Sequence, residues 1–463
     1  MKKTVALKGG SYAIALTVLV LALLIVVNIL AGALPANLTK LDISASKLYS
    51  ITSNTKAVVN ALEQDVTIYW IVQSGQEDAV IENLLSKYDS LSDLLHVEKK
   101  NPDVYPTFAQ QYTQETVSNN SLMVVSGEKY RYVPYSDIYV TQGSQFSYSY
   151  TTSFDGEGAI TSAIDYVVST ELPKLYLLEG HGESQLPESF QEQLEKENVE
   201  TENLSLLTVD EVPEDAAALL LYAPASDISK EEAQMLESYV QKGGKLLVLA
   251  GPVADGELTN LYGILETYGI TAAQGIVSEG DRSHYAFQAP YILLPELGDS
   301  DITAPLTEQN YYAIVPVAAG LQLGSDSRVT ALLTTTDSAY SKLSGYSQTT
   351  YEKEEGDIDG PFALGVDIAD GGELVFFTSS YLLEDMYNAY SSGANSDLVM
   401  NALSSLLGER QALSIRSKSL NYNYLTISDS AASLLKLVMI GLVPLLYLAM
   451  GGATLWDKRR MQR

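Results

Sequence analysis

The chain contains no cysteine. That absence excludes a disulfide framework, C-x-x-C redox chemistry, cysteine-ligated zinc, a catalytic thiol and an acylated lipoprotein cysteine. Histidine is nearly as scarce: His96, His181 and His284 are the full complement, which leaves little for His-based metal or triad chemistry. Positive charge is also short. Lys and Arg number 28 against 58 Asp and Glu, for a net charge of −30. Neutralising nucleic-acid phosphates requires a basic face, so no nucleic-acid partner is expected. The same imbalance argues against a bulk domain that lies on anionic lipid. At 463 residues the chain has room for two to three domains and needs no staple to hold a core.

What is present in quantity is apolar sequence at the two ends. Ala13 to Leu34 is a run of 22 uncharged residues, with Thr17 and Asn28 as its polar side chains. Leu437 to Trp456 is a second run, of 20. About 20 residues in a helix cross a ~30 Å hydrocarbon core. Signal-peptide apolar segments are about 7–15 residues, so the first run is too long for one, although Ala31-Gly32-Ala33 resembles a cleavage site. Lys2, Lys3 and Lys8 precede the first run; Lys458, Arg459, Arg460 and Arg463 follow the second. The positive-inside rule then predicts a two-pass membrane protein with both termini in the cytoplasm and the region between them outside. Of the 58 acidic residues, 57 lie in residues 35–430, a segregation of sign that fits this topology.

The second run is irregular for a plain anchor. Pro444 lacks the backbone donor and should kink the helix. Gly441, Gly451 and Gly452 permit close helix approach in a bilayer, and Tyr447 sets a hydroxyl near mid-span, where a partner is preferable to lipid. These five residues are the candidate partner-contact set.

Between the runs the pattern is α/β. Val66 to Val72 alternates and is β-branched, as a strand does. Asp78 to Leu95 carries apolar residues at helical period. Ser121–Ser126 and Tyr130–Val133 read as a strand pair. A β-α-β start followed by a hairpin suggests a thioredoxin-like unit, as scaffold alone. Thr141 to Gly156 is rich in Ser, Tyr, Gln and Gly, with Phe146, Tyr148 and Tyr150 alternating; it reads as an aromatic platform for a polymer, a strand with one packed face, or a loose loop. Residues 158–170 read as a helix. A second unit opens with the strand Lys174–Leu178 and runs on through a helix near Ser189–Glu197, a strand over Ala216–Leu221, a helix capped by Ser229 and Glu232 and stopped at Gly243-Gly244, and a strand over Lys245–Ala250. Later come a strand at Val375–Thr378 and a helix over Asp397–Leu407. This series predicts a mostly parallel sheet with helices on both faces.

Motifs with chemistry are thin. Gly180-His181-Gly182-Glu183 follows a strand's carboxyl end, where open α/β sheets bind ligands, so His181 and Glu183 form a candidate ligand turn. The glycines equally suit a tight turn at unusual backbone angles. Glu355, Asp357, Asp359 and Gly360 match positions 1, 3, 5 and 6 of a calcium loop, but position 12 is Val366 instead of the bidentate Glu; a solvated acidic loop is the alternative. Ser53-Asn-Thr-Lys56 matches S-x-x-K without the elements that accompany it in penicillin-recognising enzymes. Gly243-Gly244-Lys245 does not satisfy the P-loop pattern. No catalytic residue, cofactor or metal is expected.

Several segments, in order, resemble the GldG-type auxiliary proteins of bacterial ABC transport systems. They are Lys40 to Thr55, Phe154-Asp-Gly-Glu-Gly-Ala-Ile-Thr-Ser-Ala-Ile164, Leu178-Glu-Gly-His-Gly-Glu183, Gly360-Pro361-Phe362 and Gly393 to Leu403. The resemblance implies a separate ABC-2-type permease and a cytoplasmic ABC ATPase as partners. It also implies a flavodoxin-like outer domain, like class I glutamine amidotransferases in fold but without their cysteine. The expected organisation is a tail at 1–10, a membrane helix at 11–34, a membrane-proximal thioredoxin-like unit at 35–150, an amidotransferase-like domain at 151–430, a second membrane helix at 431–456 and a basic tail at 457–463. The leading functional reading is a non-catalytic exporter subunit anchored in the lipid bilayer. The alternative is an independent surface-anchored glycan-binding, polymer-binding or sensing protein. A hydrolase resting on His181 is the third.

Overall fold

A computed structural model describes residues 18–23, 25–26, 50–114, 116–143, 150–408 and 418–419. The second apolar run, with Gly441, Pro444, Tyr447, Gly451 and Gly452, lies outside the described residues. The first run is described at 18–23 and 25–26, which are helical with exposed side chains. Among the described residues no helix is long and apolar enough to cross a membrane.

The first unit runs α1 (Ser53–Asn60), β1 (Val66–Ile71), α2 (Ala79–Asp89), β2 (Leu95–Lys100), β3 (Ser121–Ser126), β4 (Lys129–Val133), β5 (Tyr139–Gly143), β6 (Tyr150–Phe154) and α3 (Gly156–Val168). Its sheet has the order β2-β1-β3-β4. β1 is parallel to β2 and antiparallel to β3, and β3 is antiparallel to β4. Period-two alternation turns Val66, Ile68 and Trp70 into the core, against Ile81, Leu84 and Leu85 of α2 and Ile160, Ile164 and Val167 of α3. The packing of this unit therefore runs through Val167, past residue 150, where the sequence pattern places the boundary.

Two local features depart from the pattern. The apolar periodicity over Asp78–Leu95 predicts one helix, but α2 ends at Asp89 and Leu95 opens β2. β2 carries His96, Glu98, Lys99 and Lys100, so neither strand alternation nor β propensity marks it. It is an edge strand, where charge is tolerated and discourages further pairing. The Tyr-rich segment holds the antiparallel hairpin of β5 and β6, in register from Tyr139↔Phe154 to Gly143↔Tyr150. Phe146 and Tyr148 lie outside the described residues.

The second unit contains β7 (Lys174–Leu178), α4 (Glu188–Lys196), β8 (Glu200–Leu204), β9 (Ala216–Tyr222), α5 (Lys230–Gln241), β10 (Lys245–Leu249), α6 (Thr259–Glu266), β11 (Ala363–Asp370), β12 (Gly372–Phe377) and α7 (Ala394–Leu407). Strands β8-β7-β9-β10-β12 lie side by side and all parallel. β11 adds antiparallel to β12 and extends the sheet toward shorter strands. Leu175, Leu220, Leu247 and Val375 face one side with Phe190 and Leu194 of α4 and Leu398 and Leu403 of α7. Tyr176, Leu219, Leu246 and Phe376 face the other with Leu236 and Val240 of α5 and Leu261 and Leu265 of α6. Near-continuous apolar strands buried on both faces are what a helix-covered parallel sheet requires. The capping box at Ser229 and Glu232 forms, and Gly243 follows α5 at φ +103.

The units meet where α4 ends. Asn198 donates from Nδ2 to the Ser162 carbonyl at 2.9 Å, and Lys196 pairs with Asp155.

Candidate functional site

The parallel order β8-β7-β9-β10-β12 reverses direction of growth between β7 and β9. In an open α/β sheet the loops at the carboxyl ends of two such strands diverge and leave a crevice. Residues 179–184 leave β7 there, and residues 223–226 leave β9. Gly180 and Gly182 take φ of +132 and +72, so both turn glycines use backbone angles costly for other residues. A Cβ at Gly182 would lie 3.1 Å from the Ala225 side chain. Ala223 holds φ +51 without being glycine. It is fixed there by its N–H on the Leu249 carbonyl, at 2.8 Å, and by its own carbonyl accepting from Ser184 N at 3.2 Å.

His181 is the centre of this crevice. Its Nδ1 lies 3.5 Å from Glu183 Oε1 and its Nε2 lies 3.1 Å from Glu232 Oε2. The three side chains are 13%, 8% and 4% exposed. Glu183 Oε2 also accepts the backbone N–H of Gly180 at 3.0 Å and of His181 at 2.8 Å. Glu232 Oε2 accepts Ser229 N at 2.8 Å, closing the cap of α5. The His181 carbonyl accepts from Ala225 N, Ser226 N and Ser226 Oγ at 3.0, 3.0 and 3.1 Å. An imidazole between two carboxylates donates from both nitrogens when protonated. The ring thus ties the β7 turn to the start of α5, and its carbonyl ties the same turn to the β9 loop.

This geometry orients a loop. Neither ring nitrogen contacts a hydroxyl among the described residues, and the chain has no thiol. Nucleophilic catalysis needs the base within hydrogen-bond reach of the nucleophile. Glu183 Oε1 and Glu232 Oε1 are both buried without a hydrogen-bond partner among the described residues, so two acceptors remain in the crevice.

The sequence pairs His181 with Glu183 but misses Glu232, which reads there as a capping residue. The signal was available: in a βαβ series the N-terminus of α5 and the β7 turn share the carboxyl edge of the sheet. The acidic loop resolves differently from its motif. Asp357 pairs with Lys342 at 3.2 Å and accepts from Leu343 N and Glu354 N, Asp359 pairs with Lys353, and Glu355 is exposed. Lysines occupy the carboxylates a calcium ion would use, and no metal-holding group of three His, Cys, Asp or Glu occurs among the described residues. Ser53 and Lys56 sit in the first turn of α1, capped by Thr52.

Two other segments that carry the resemblance are buried staples. Glu157 Oε1 accepts from Thr52 N at 2.6 Å and Thr55 Oγ1 at 2.9 Å, while Tyr88 OH reaches the Glu157 carbonyl at 3.0 Å and Thr161 Oγ1 at 2.7 Å. Burial, reinforced by Glu157, raises the Tyr88 phenol's pKa well above its ordinary value. Asn395, fully buried, accepts from Ile314 N and donates to the carbonyls of Ile314 and Leu382.

Residues 172–369 match a family described as an ABC-type uncharacterized transport system, and residues 45–141 match a domain of unknown function. The first match supports an auxiliary, non-catalytic role in ABC transport and association with other components of such systems. No curated protein matches the sequence. Among solved structures, the chain is similar to the mmIFT52 N-terminal domain, at 18% identity over 51% of this chain and 98% of that one, with a TM-score of 0.38. It is also similar to a glutamine amidotransferase from Thermotoga maritima, at 10% identity over 52% of this chain and 100% of that one, with a TM-score of 0.31.

Proposed function

We propose that the chain is a membrane-anchored, non-catalytic subunit of a GldG-type ABC export system, acting with a separate ABC-2-type permease and a cytoplasmic ATPase. The observation that carries the reading is the match of residues 172–369 to the transport family. Three further features support it. The strand order and directions of the first unit fit a thioredoxin-like scaffold in a chain with no cysteine for its redox chemistry. The order β8-β7-β9-β10-β12 is the flavodoxin-like 2-1-3-4-5 arrangement, which fits an amidotransferase-like domain without the catalytic thiol. The exposed apolar side chains of Val18, Leu19, Val20, Leu21, Leu23, Ile25 and Val26 fit a helix whose surroundings are lipid.

In this reading both apolar runs span the cytoplasmic membrane and both α/β units lie outside, beside the permease. His181, Glu183 and Glu232 shape the loop edge of the second unit instead of turning over substrate. The decisive experiment is affinity purification of the tagged full chain from gently solubilised membranes. Recovery of a permease and an ATPase in fixed proportion is expected. Purification of the chain alone, from cells that express both, would sink the reading. Reporter fusions at residue 463 and within residues 200–400 should report opposite sides of the membrane.

A further inference from the structure

A groove of about 680 Å³ opens on the first unit where β4, the end strand of its sheet, meets residues 110–114 and α3. That size lies within the range of about 300–1,000 Å³ usual for ligand sites. Its lining is unlike a core fragment. Gln110 and Gln111 are exposed, and Tyr130 is 44% exposed. The Tyr130 ring rests against Tyr112 with centroids 5.6 Å apart. Tyr112 is itself backed by Phe108 at 5.5 Å and Tyr69 at 6.4 Å. The Tyr130 ring, at 60° to Tyr112, is therefore braced through Tyr112 by further aromatics behind it.

Among the described residues one charged side chain lines the groove, Arg131, and it is positive. The Arg131 guanidinium lies 5.0 Å over the ring of Tyr166 on α3, a cation–π contact. Burial raises the pKa of the exposed Asp137, and Arg131 acts against that rise through space, after Ser136 and Lys196; among the described residues Arg131 makes no ion pair. In a chain of net charge −30, eight of the described lysines and arginines have a carboxylate within ion-pair distance. A guanidinium set over an aromatic ring, without an ion-pair partner among the described residues, keeps donors available to a planar anion.

We propose that this groove binds an acidic glycan. A pyranose ring presents a face of C–H bonds that packs on an aromatic plane, which the exposed Tyr130 ring supplies, with the Tyr112 ring tilted 60° beside it. Its hydroxyls both donate and accept, which matches the amides of Gln110 and Gln111. A uronate carboxylate completes the set on Arg131. A neutral glycan leaves the cation without its counter-charge. An acidic peptide answers the cation but has no ring to stack on the tyrosines. The inference is independent of the transport reading, since it concerns the first unit alone and its test needs no permease.

The test is calorimetric titration of the full chain in detergent with three hexamers: hexagalacturonate, chitohexaose and hexaglutamate. Saturable binding of hexagalacturonate is expected, at least ten-fold tighter than either of the others and weakened by salt. Arg131→Gln should lower that affinity about ten-fold, toward the level of chitohexaose, and Arg131→Lys should recover only part of the loss. Tyr130→Ala should weaken both sugars. The substitutions are at the groove surface, and an unchanged denaturation midpoint shows that each variant is folded. Equal binding of hexaglutamate reduces the site to charge alone and overturns the proposal. So does equal binding of chitohexaose, an affinity indifferent to both Arg131→Gln and Tyr130→Ala, or no binding of any of the three.

Discussion

Glu157 and Thr55, 102 residues apart in the chain, meet side chain to side chain at 2.9 Å, and the same Glu157 oxygen accepts the Thr52 backbone N–H at 2.6 Å. Glu157 is 2% exposed and Thr55 fully buried. Two of the segments by which the chain resembles a family are thus two halves of one joint, fastening α1 to the start of α3. Their residue types answer to burial and hydrogen bonding, with no substrate involved.

Removing that carboxylate should destabilise the first unit. Glu157→Ala leaves Thr52 N without its acceptor, while Thr55 Oγ1 retains Thr161 Oγ1 at 2.9 Å. A buried polar group left unpaired costs about 1–3 kcal/mol, so a loss of about 1–3 kcal/mol is expected. Glu157→Gln retains an oxygen acceptor and should cost less. Denaturant unfolding followed by fluorescence reads this directly, because Trp70 sits in the core of the first unit. A loss below about 0.5 kcal/mol for Glu157→Ala would contradict the role assigned to the joint.

How much of this was readable beforehand follows from what each signal depends on. The strands β7, β9 and β10 are apolar enough to be read from composition, and the Ser229 and Glu232 cap from spacing, because both depend on near neighbours. β2 was not readable: Leu95–Lys100 is charged, and it becomes a strand because β1 offers a ladder beside it. β8, Glu200–Leu204, is the same case on the second sheet's edge. The His181 turn was visible as two glycines around a histidine. Its partner Glu232 stands 51 positions away, and only the winding of the sheet brings them together. The groove around Arg131 was not visible at all, since it joins residues from three separated stretches.

The His181 cluster should behave as a structural clamp. His181→Ala leaves the nearly buried carboxylates of Glu183 and Glu232 without their shared partner. Uncompensated buried charge is expensive, and a loss of about 2–3 kcal/mol is expected in the second unit. Glu232→Gln keeps an oxygen for the helix cap and should cost less. The same preparations should show no amidase or ATPase turnover, with or without His181. Turnover that vanishes in His181→Ala, at unchanged stability, would return the enzyme reading.

Lys342 is fully buried and pairs with Glu354 at 2.6 Å and Asp357 at 3.2 Å, while also donating to the Glu352 carbonyl. Lys342→Met should cost about 3–5 kcal/mol, because it strands the Asp357 carboxylate, which is 4% exposed. Adding Asp357→Asn removes the stranded charge. The double variant should therefore be more stable than Lys342→Met alone, by a coupling of at least about 1 kcal/mol in a double-mutant cycle. Simple additivity of the two substitutions would mean that the pair does not fasten the acidic loop.

Asp367 supplies a pH dependence of unusual sign. It lies on β11, opposite Val375, with its Oδ1 buried and lacking a hydrogen-bond partner among the described residues. Burial raises its pKa from 3.8 to about 6; Glu373 adds to the rise, and Lys245 opposes it. Below about pH 4 the folded and unfolded chains both hold the proton. Between about pH 4 and 6 the folded chain holds it and the unfolded chain has released it, so stability falls as pH rises through this window. The full shift corresponds to about 3 kcal/mol, and partial exposure of the side chain screens this to about 1–2 kcal/mol. Asp367→Asn has no proton to release. Its stability minus that of the natural chain should therefore grow by about 1–2 kcal/mol from pH 4 to pH 7, with other titrating groups cancelling in the difference. Paired denaturant curves at pH 4, 5, 6 and 7 measure it. A difference that stays flat, or shrinks as pH rises, would show that Asp367 is ionised in the fold across the whole range.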